Sequence, residues 1–260
     1  MNKKLALAFF ALCLSLALVS CSGGASEADK ALLDESSELK QLNMPRKGDQ
    51  IAVINTGMGK IKIRLFEEYA PEAVGNFVAL AKSGYYDNIT FHRVIESFMI
   101  QSGDPTGTGR GGESANGMPF RREMVKELHH IRGALAMAKT DENVSQRSQF
   151  YIVQNSGLSE GLAAELKSYL DNLDELITMD EDVEGAADGK TWLRRDVFQP
   201  EIINKYLEVG GAPQLDYKYT VFGQVYEGIE VVDKIAAVPT DGSDRPLEDV
   251  IVKSIKIYKY

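Results

Sequence analysis

Phe91-His92-Arg93-Val94-Ile95-Glu96-Ser97-Phe98-Met99-Ile100-Gln101-Ser102-Gly103-Asp104 decides how this 260-residue chain is read. Apolar side chains alternate with a few polar ones, the two-residue period of a strand with one buried face. The stretch then runs into a glycine-rich loop, Gly107-Thr108-Gly109-Arg110-Gly111-Gly112. One arginine, one glutamine and several aromatic or sulfur side chains fall at strand spacing. That set suits an apolar ring held beside a peptide carbonyl. It does not have the look of acid/base, metal or nucleophile chemistry. The glycine-rich loop lacks the lysine and spacing of a phosphate loop and reads as a turn packed against the domain.

Working towards the N-terminus, residues 1–20 read as a signal peptide. Lys3 and Lys4 form a positive start, and Leu5 to Val19 is a nearly unbroken apolar run of 15 residues. That is short of the roughly 20 that span a bilayer as a helix. Leu18-Val19-Ser20-Cys21 resembles the bacterial lipobox, which implies cleavage before Cys21 and acylation of its thiol, an anchor without a spanning helix. Ser22-Gly23-Gly24-Ala25-Ser26 is a flexible tether of small residues, and residues 21–48 as a whole read as tether and linker. The chain has two cysteines. Cys13 leaves with the signal and Cys21 carries the lipid, so the mature domain has no disulfide, zinc-cysteine or thiol-redox chemistry. Losing Lys3 and Lys4 takes the formal charge from −9 to −11. So acidic a chain has no footprint for nucleic acid, and it would not be drawn to an anionic lipid surface, which leaves anchoring to the lipid.

The folded part reads from about Asp49. Ile51 and Val53, a turn at Thr56-Gly57-Met58-Gly59, and Ile61, Ile63 and Leu65 alternating with Lys60, Lys62 and Arg64 predict a hairpin. Pro71 suits the first turn of a helix carrying Ala73, Val74, Phe77, Val78 and Ala81 on one face and stopped by Gly84. Two further strands are predicted at Gly133–Lys139 and Ser148–Ile152 around a polar loop. Another is predicted within Leu215–Val225, then a second helix at Gly228–Ala237 and a closing strand at Val250–Tyr258. Between them lies an insert of 56 residues, Gly157 to Ala212. Leu162, Leu166, Tyr169, Leu170, Leu173, Leu176 and Ile177 share a helical face there, and Pro200 opens a second helix stopped by Gly210-Gly211. The acidic run Asp180-Glu181-Asp182 with Glu184 lacks the spacing and central glycine of a calcium loop, and reads as a solvated connection.

Three blocks together resemble the cyclophilin-type peptidyl-prolyl isomerases: Phe91 to Asp104, the pair Met137-Ala138 with Ser148-Gln149-Phe150, and Tyr219 to Val225 with its Phe222-Gly223-x-Val225 turn. The resemblance implies a mainly β fold, a closed eight-stranded antiparallel barrel capped by two helices. The barrel takes in residues 49–156 and 213–260, and residues 157–212 form an inserted helical subdomain. It also implies that Arg93 is the catalytic residue, with His92, Phe98, Met99, Gln101, Ala138, Lys139, Gln149, Tyr151, Leu215 and Tyr219 binding substrate. No cofactor or metal is implied. His129 and His130, the other histidines besides His92, form no ligand spacing with it.

The chemistry of such a site is undemanding in covalent terms. An X–Pro bond rotates over a barrier of about 18–20 kcal/mol and exchanges unaided in tens to hundreds of seconds. No bond breaks. What helps is gripping the ring and donating a hydrogen bond to the prolyl nitrogen as it pyramidalises, and a permanently charged guanidinium suits that task. Four positions depart from the family pattern: Tyr151 for phenylalanine, Lys139 for asparagine, Tyr219 for the histidine of animal members, and Gln214 for a tryptophan. The last puts cyclosporin binding in doubt. The insert enters just before Gln214, so it is expected to cap or extend the groove. The expected function is isomerisation of proline bonds in exported polypeptides by a monomer tethered to the bacterial cell envelope, facing periplasm or surface. The alternative is a lipid-tethered module that binds proline peptides with little turnover.

Overall fold

The computed structural model describes residues 39–142, 144–172, 182–183, 192–193 and 199–260. Strands β1 (Gln50–Thr56) and β2 (Lys60–Leu65) form the expected hairpin, with Gln50 opposite Leu65 and Asn55 opposite Lys60. Helix α1 (Pro71–Lys82) follows, then β3 (Ile89–Thr90), β4 (Arg93–Ile95), β5 (Met99–Ser102), β6 (Phe120–Arg121), β7 (Ala134–Met137), β8 (Val144–Gln146) and β9 (Phe150–Val153). The insert contributes α2 (Glu160–Asp171), the short pair β10 (Asp182–Val183) and β11 (Trp192–Leu193), and α3 (Pro200–Val209). The chain closes with β12 (Val221–Glu227), α4 (Ile229–Ala236) and β13 (Ile251–Lys259). The predicted 215–225 strand therefore starts later: Pro213–Leu215 is a 3-10 turn, and pairing begins at Val221.

Nine of these strands form one antiparallel sheet, in the order β3-β13-β1-β2-β12-β7-β9-β5-β4. Its edges, β3 and β4, are consecutive in the chain and separated only by Phe91 and His92. The sheet is thus curled on itself. The closed eight-stranded barrel implied by the resemblance is observed as a curled antiparallel sheet of nine strands, whose end strands pair with β13 and β5 and not with each other.

Strand alternation sorts the side chains into two apolar clusters. Ile54, Ile61, Ile63, Val94, Ile100, Leu135, Ile152 and Phe222 point to the inside, where the main core lies. Phe77 of α1 plugs that core, packing at 5.3 Å from Tyr86, 5.4 Å from Phe150 and 5.3 Å from Phe222. The first turn of α1 has no cap of its own. The Glu123 carboxylate instead accepts the N–H groups of Glu72 at 3.0 Å and Ala73 at 2.8 Å, satisfying donors that a helix start leaves open. Met99, Ala134, Ala136, Tyr151, Val153 and Val221 make the second cluster, on the outer face.

Residues 39–48, read from sequence as the end of the tether, meet the barrel. Leu42 is fully buried in the main core. The Gln41 amide donates to the His129 carbonyl at 2.8 Å and accepts the His129 N–H at 2.8 Å. The packed domain therefore begins before Asp49. Burying one leucine contributes about 1.5–3 kcal/mol, enough to hold a three-residue turn whose local pattern carries no strand or helix period.

The insert helices pack against each other and against the main core, through Leu166, Ile202, Ile203, Tyr206 and Val209. Pro200 opens α3 as predicted, and Gly210 ends it at φ 83°, a left-handed turn in which a Cβ would strike the backbone at Asn155 and Ser156. Leu173, Leu176, Ile177 and most of the acidic run lie outside the described residues. Among the described residues, no helix is long and apolar enough to cross a membrane.

Candidate active site

Register alone assembles the centre of the site. Arg93 pairs with Gln101, Gln101 with Tyr151, and Tyr151 with Ala136. These four sit in one row across β4, β5, β9 and β7, at about 4.8 Å per strand. Because side chains opposite one another share a face, the row lies on the outer face with the second cluster, and Val94, Ile100 and Ile152 turn inward. The wall of this face is apolar: Met99 is 2% and Tyr151 5% exposed, with Phe98, Ala138, Leu215 and Tyr219 partly buried around them. Phe98 stands on the β4–β5 turn, where Ser97 takes φ 60° and the Phe98 carbonyl accepts the Gln154 N–H at 2.8 Å.

The polar groups are held from behind. The Arg93 Nε lies 3.3 Å from an Asp244 carboxylate oxygen, both side chains being open to solvent. That leaves the remaining guanidinium N–H donors for another acceptor. The Gln149 amide donates to the carbonyls of Gly109 at 3.0 Å and Gly111 at 2.8 Å, so its oxygen faces the Gln101 amide, which donates to it at 2.9 Å. Gln101 keeps one N–H and its carbonyl oxygen free of that bond. Lys139 places Nζ over the Tyr219 ring at 5.0 Å. Burial, then the nearby Arg122 charge, lowers the Lys139 pKa. Beside Gln101 a groove of about 740 Å³ runs between the glycine-rich loop and the 138–147 segment.

Asp104 organises the glycine-rich loop. One carboxylate oxygen accepts the Thr106 N–H and hydroxyl at 2.8 Å each. The other accepts Thr108 N–H at 3.0 Å, its hydroxyl at 3.1 Å and Gly111 N–H at 3.1 Å. Burial opposes the charged form, but these donors prevail and bring the Asp104 pKa down to about 2. The amides a phosphate would need are spent on this carboxylate.

The structure thus gathers Arg93, Phe98, Met99, Gln101, Ala138, Lys139, Gln149, Tyr151, Leu215 and Tyr219 around one face. His92 is the exception. It is 7% exposed, and its ring packs under Gly109, 3.3 Å from where a Cβ would stand. Burial lowers its pKa. His92 lies in the short link between β3 and β4, beside Phe91 of the main core, and the glycine-rich loop covers its ring. His92 supports the loop and does not line the groove. Gln214, in place of the family's tryptophan, is exposed.

Sequence reading also missed Asp104, Asp244 and a buried group behind Tyr151, in which His130, His129 and Tyr206 converge on Asp216. Only Asp104 carried a signal, an acid followed by Thr and Gly at turn spacing. Among the described residues, none of α2 or α3 lines this groove, which the insert was expected to cap or extend; their buried side chains Leu166, Ile202, Ile203, Tyr206 and Val209 join the main core. Among the described residues, no group of three or more His, Cys, Asp or Glu could hold a metal.

The sequence matches the model of the cyclophilin type peptidyl-prolyl cis-trans isomerase family over residues 51–257. A Staphylococcus saprophyticus protein that carries a peptidyl-prolyl cis-trans isomerase name is 41% identical over 219 residues, 84% of this chain and 96% of its own length. A Streptococcus pyogenes protein named as a bifunctional phosphatase and peptidyl-prolyl cis-trans isomerase is 39% identical over 229 residues; these are 87% of this chain but 43% of that protein. The crystal structure of a Cryptosporidium parvum cyclophilin-type isomerase superposes with a TM-score of 0.59 at 30% identity, covering 82% of this chain and 99% of that one. A second structure of it, with the dipeptide Ala-Pro present, gives 0.58. By fold, matched length and relatives, this chain belongs to the cyclophilin-type peptidyl-prolyl cis-trans isomerases.

Proposed function

We propose that the row Arg93–Gln101–Tyr151 is where this isomerase turns X–Pro bonds, with Arg93 as the catalytic residue. The observation that carries the reading is the register, which sets a solvent-open guanidinium, a half-free amide and an apolar wall on one face. In this reading the proline ring lies against Phe98, Met99, Tyr151 and Leu215. Gln101 holds the substrate carbonyl, Ala138 and Gln149 flank the peptide backbone, and Lys139 with Tyr219 closes the far side. Arg93, steadied by Asp244, donates to the prolyl nitrogen as it leaves the amide plane. One charge-assisted donor in such a place is worth roughly 3–4 kcal/mol in the transition state.

Proline isomerisation measured on wild type and Arg93→Ala tests it. Loss of about 10²–10³ in kcat/KM, with proline-peptide affinity kept, is expected. Equal turnover by both would remove Arg93 from the mechanism. Equal inactivity with peptide still bound would favour the tethered binding module. The substrates we assign are proline-containing polypeptides exported across the membrane, and the place of action is the bacterial cell envelope, with acylated Cys21 as the anchor. Support comes from the Leu18–Cys21 motif, the apolar run before it and the acidic charge of the remainder.

A further inference from the structure

Asp216 is buried where the chain returns from the insert, one residue past the Pro213–Leu215 turn. Four donors converge on its carboxylate. They are the His130 N–H at 2.7 Å, His130 Nδ1 at 2.8 Å, His129 Nδ1 at 3.1 Å and the Tyr206 hydroxyl of α3 at 2.7 Å. Burial works against its charge, but the bonds from His129 and His130 outweigh it and hold the carboxyl below the usual range. An ionised carboxylate only accepts, so the imidazole nitrogens facing it carry protons. His130 Nε2 is then left to face the Tyr151 hydroxyl, 3.0 Å away. The two rings lie nearly parallel, at 14°, and Tyr151 meets Tyr219 edge-on at 5.9 Å. The segment returning from the insert is tied to the same stretch, Ala212 donating to the His130 carbonyl at 2.8 Å.

This makes an unbroken chain of hydrogen bonds from the insert to the apolar wall of the site. We infer that Tyr206, Asp216 and His130 are positioning residues: by holding the Tyr151 hydroxyl they set the tilt of the ring against which proline packs. The insert thereby acts on turnover through this relay, touching no substrate. The inference rests on the reading that Tyr151 lines the proline pocket. Its physical basis is the hydroxyl itself. A buried phenol without a partner is strongly disfavoured, so the ring takes the one orientation that meets His130. A phenylalanine at this place would have no such tie and would not feel the insert.

A double-mutant cycle on the full chain separates this role from general support of the core. Tyr206→Phe should lower kcat/KM on a short proline peptide about threefold to tenfold, the worth of one hydrogen bond. Whatever activity Tyr151→Phe retains, adding Tyr206→Phe should lower it less than twofold, because the tie is already gone. An equal loss in both backgrounds, or no loss from Tyr206→Phe in the otherwise wild-type chain, overturns the inference. Where a variant does not fold, or Tyr151→Phe has no measurable turnover, the ¹⁵N resonances of the wild-type histidines decide. Saturating proline peptide should shift the His130 ring and leave that of His129 in place; an unmoved His130 overturns the inference. A wild-type chain without turnover would instead sink the assignment of the site, whatever the rings do.

Discussion

Arg93 shows how little of a residue's task lies in its own identity. Its charge is certain from its type, and its outward face follows from strand alternation. Its direction comes from Asp244, 151 positions away in the chain. Asp244 sits at φ 63°, in a loop whose backbone also binds the strand, since the Asp244 carbonyl accepts the Val94 N–H at 2.7 Å. An exposed pair of this kind adds only about 0–1 kcal/mol to stability. Asp244→Ala should therefore leave the melting temperature nearly unchanged and lower kcat/KM several-fold as the guanidinium loses its second hold. An unchanged kcat/KM would show that Arg93 needs no such guide. The pair was illegible in sequence because nothing local links the two residues.

Among the elements, the loop after β5 depends most on one side chain. Asp104 spends both carboxylate oxygens on the turn from Thr106 to Gly111, and that turn supplies the carbonyls that orient Gln149 and, through it, Gln101. Its pKa is about 2 in the fold and ordinary, about 3.9, in the unfolded chain. A depressed carboxyl stabilises fully above the unfolded value and loses its contribution as pH falls through the folded one. Wild type should thus lose stability between about pH 4 and pH 2 through this group. Asp104→Asn, which turns an amide N–H towards existing donors, should be less stable at pH 7, and the gap should close over that range in chemical denaturation. A gap independent of pH would refute the assignment. The flanking strands were readable from their alternation, whereas the wrapping of the loop around its own acid required the φ values of Gly107, Gly109 and Gly112, all between 63° and 107°.

At the scale of the whole molecule, a segment ahead of β1 belongs to the packed domain. Residues 39–45 dock on the core through Leu42 and Gln41, so the packed domain starts closer to Cys21 than the sequence suggested. The proposed anchor is the lipid alone, since a net charge of −11 after loss of the signal would repel an anionic surface. Labelling cells with palmitate and fractionating them checks this. The wild-type chain should carry label and sediment with membranes, and Cys21→Ala should be unlabelled and soluble. A membrane-bound Cys21→Ala chain would rule out the lipid as the sole anchor.

Much of the fold and half of the site logic were present in the sequence. Two-residue alternation named the strands, Pro71, Pro200 and the following glycines bounded the helices, and the order of three motifs implied the barrel. These features are local, and propensity, period and turn chemistry act over a few residues. The placement of His92 under the loop, the hold of Asp244 on Arg93 and the convergence of His129, His130 and Tyr206 on Asp216 were settled only by tertiary structure. Each joins groups far apart in the chain, and buried polar atoms choose partners by where the packed sheet and insert bring them, which no local pattern records.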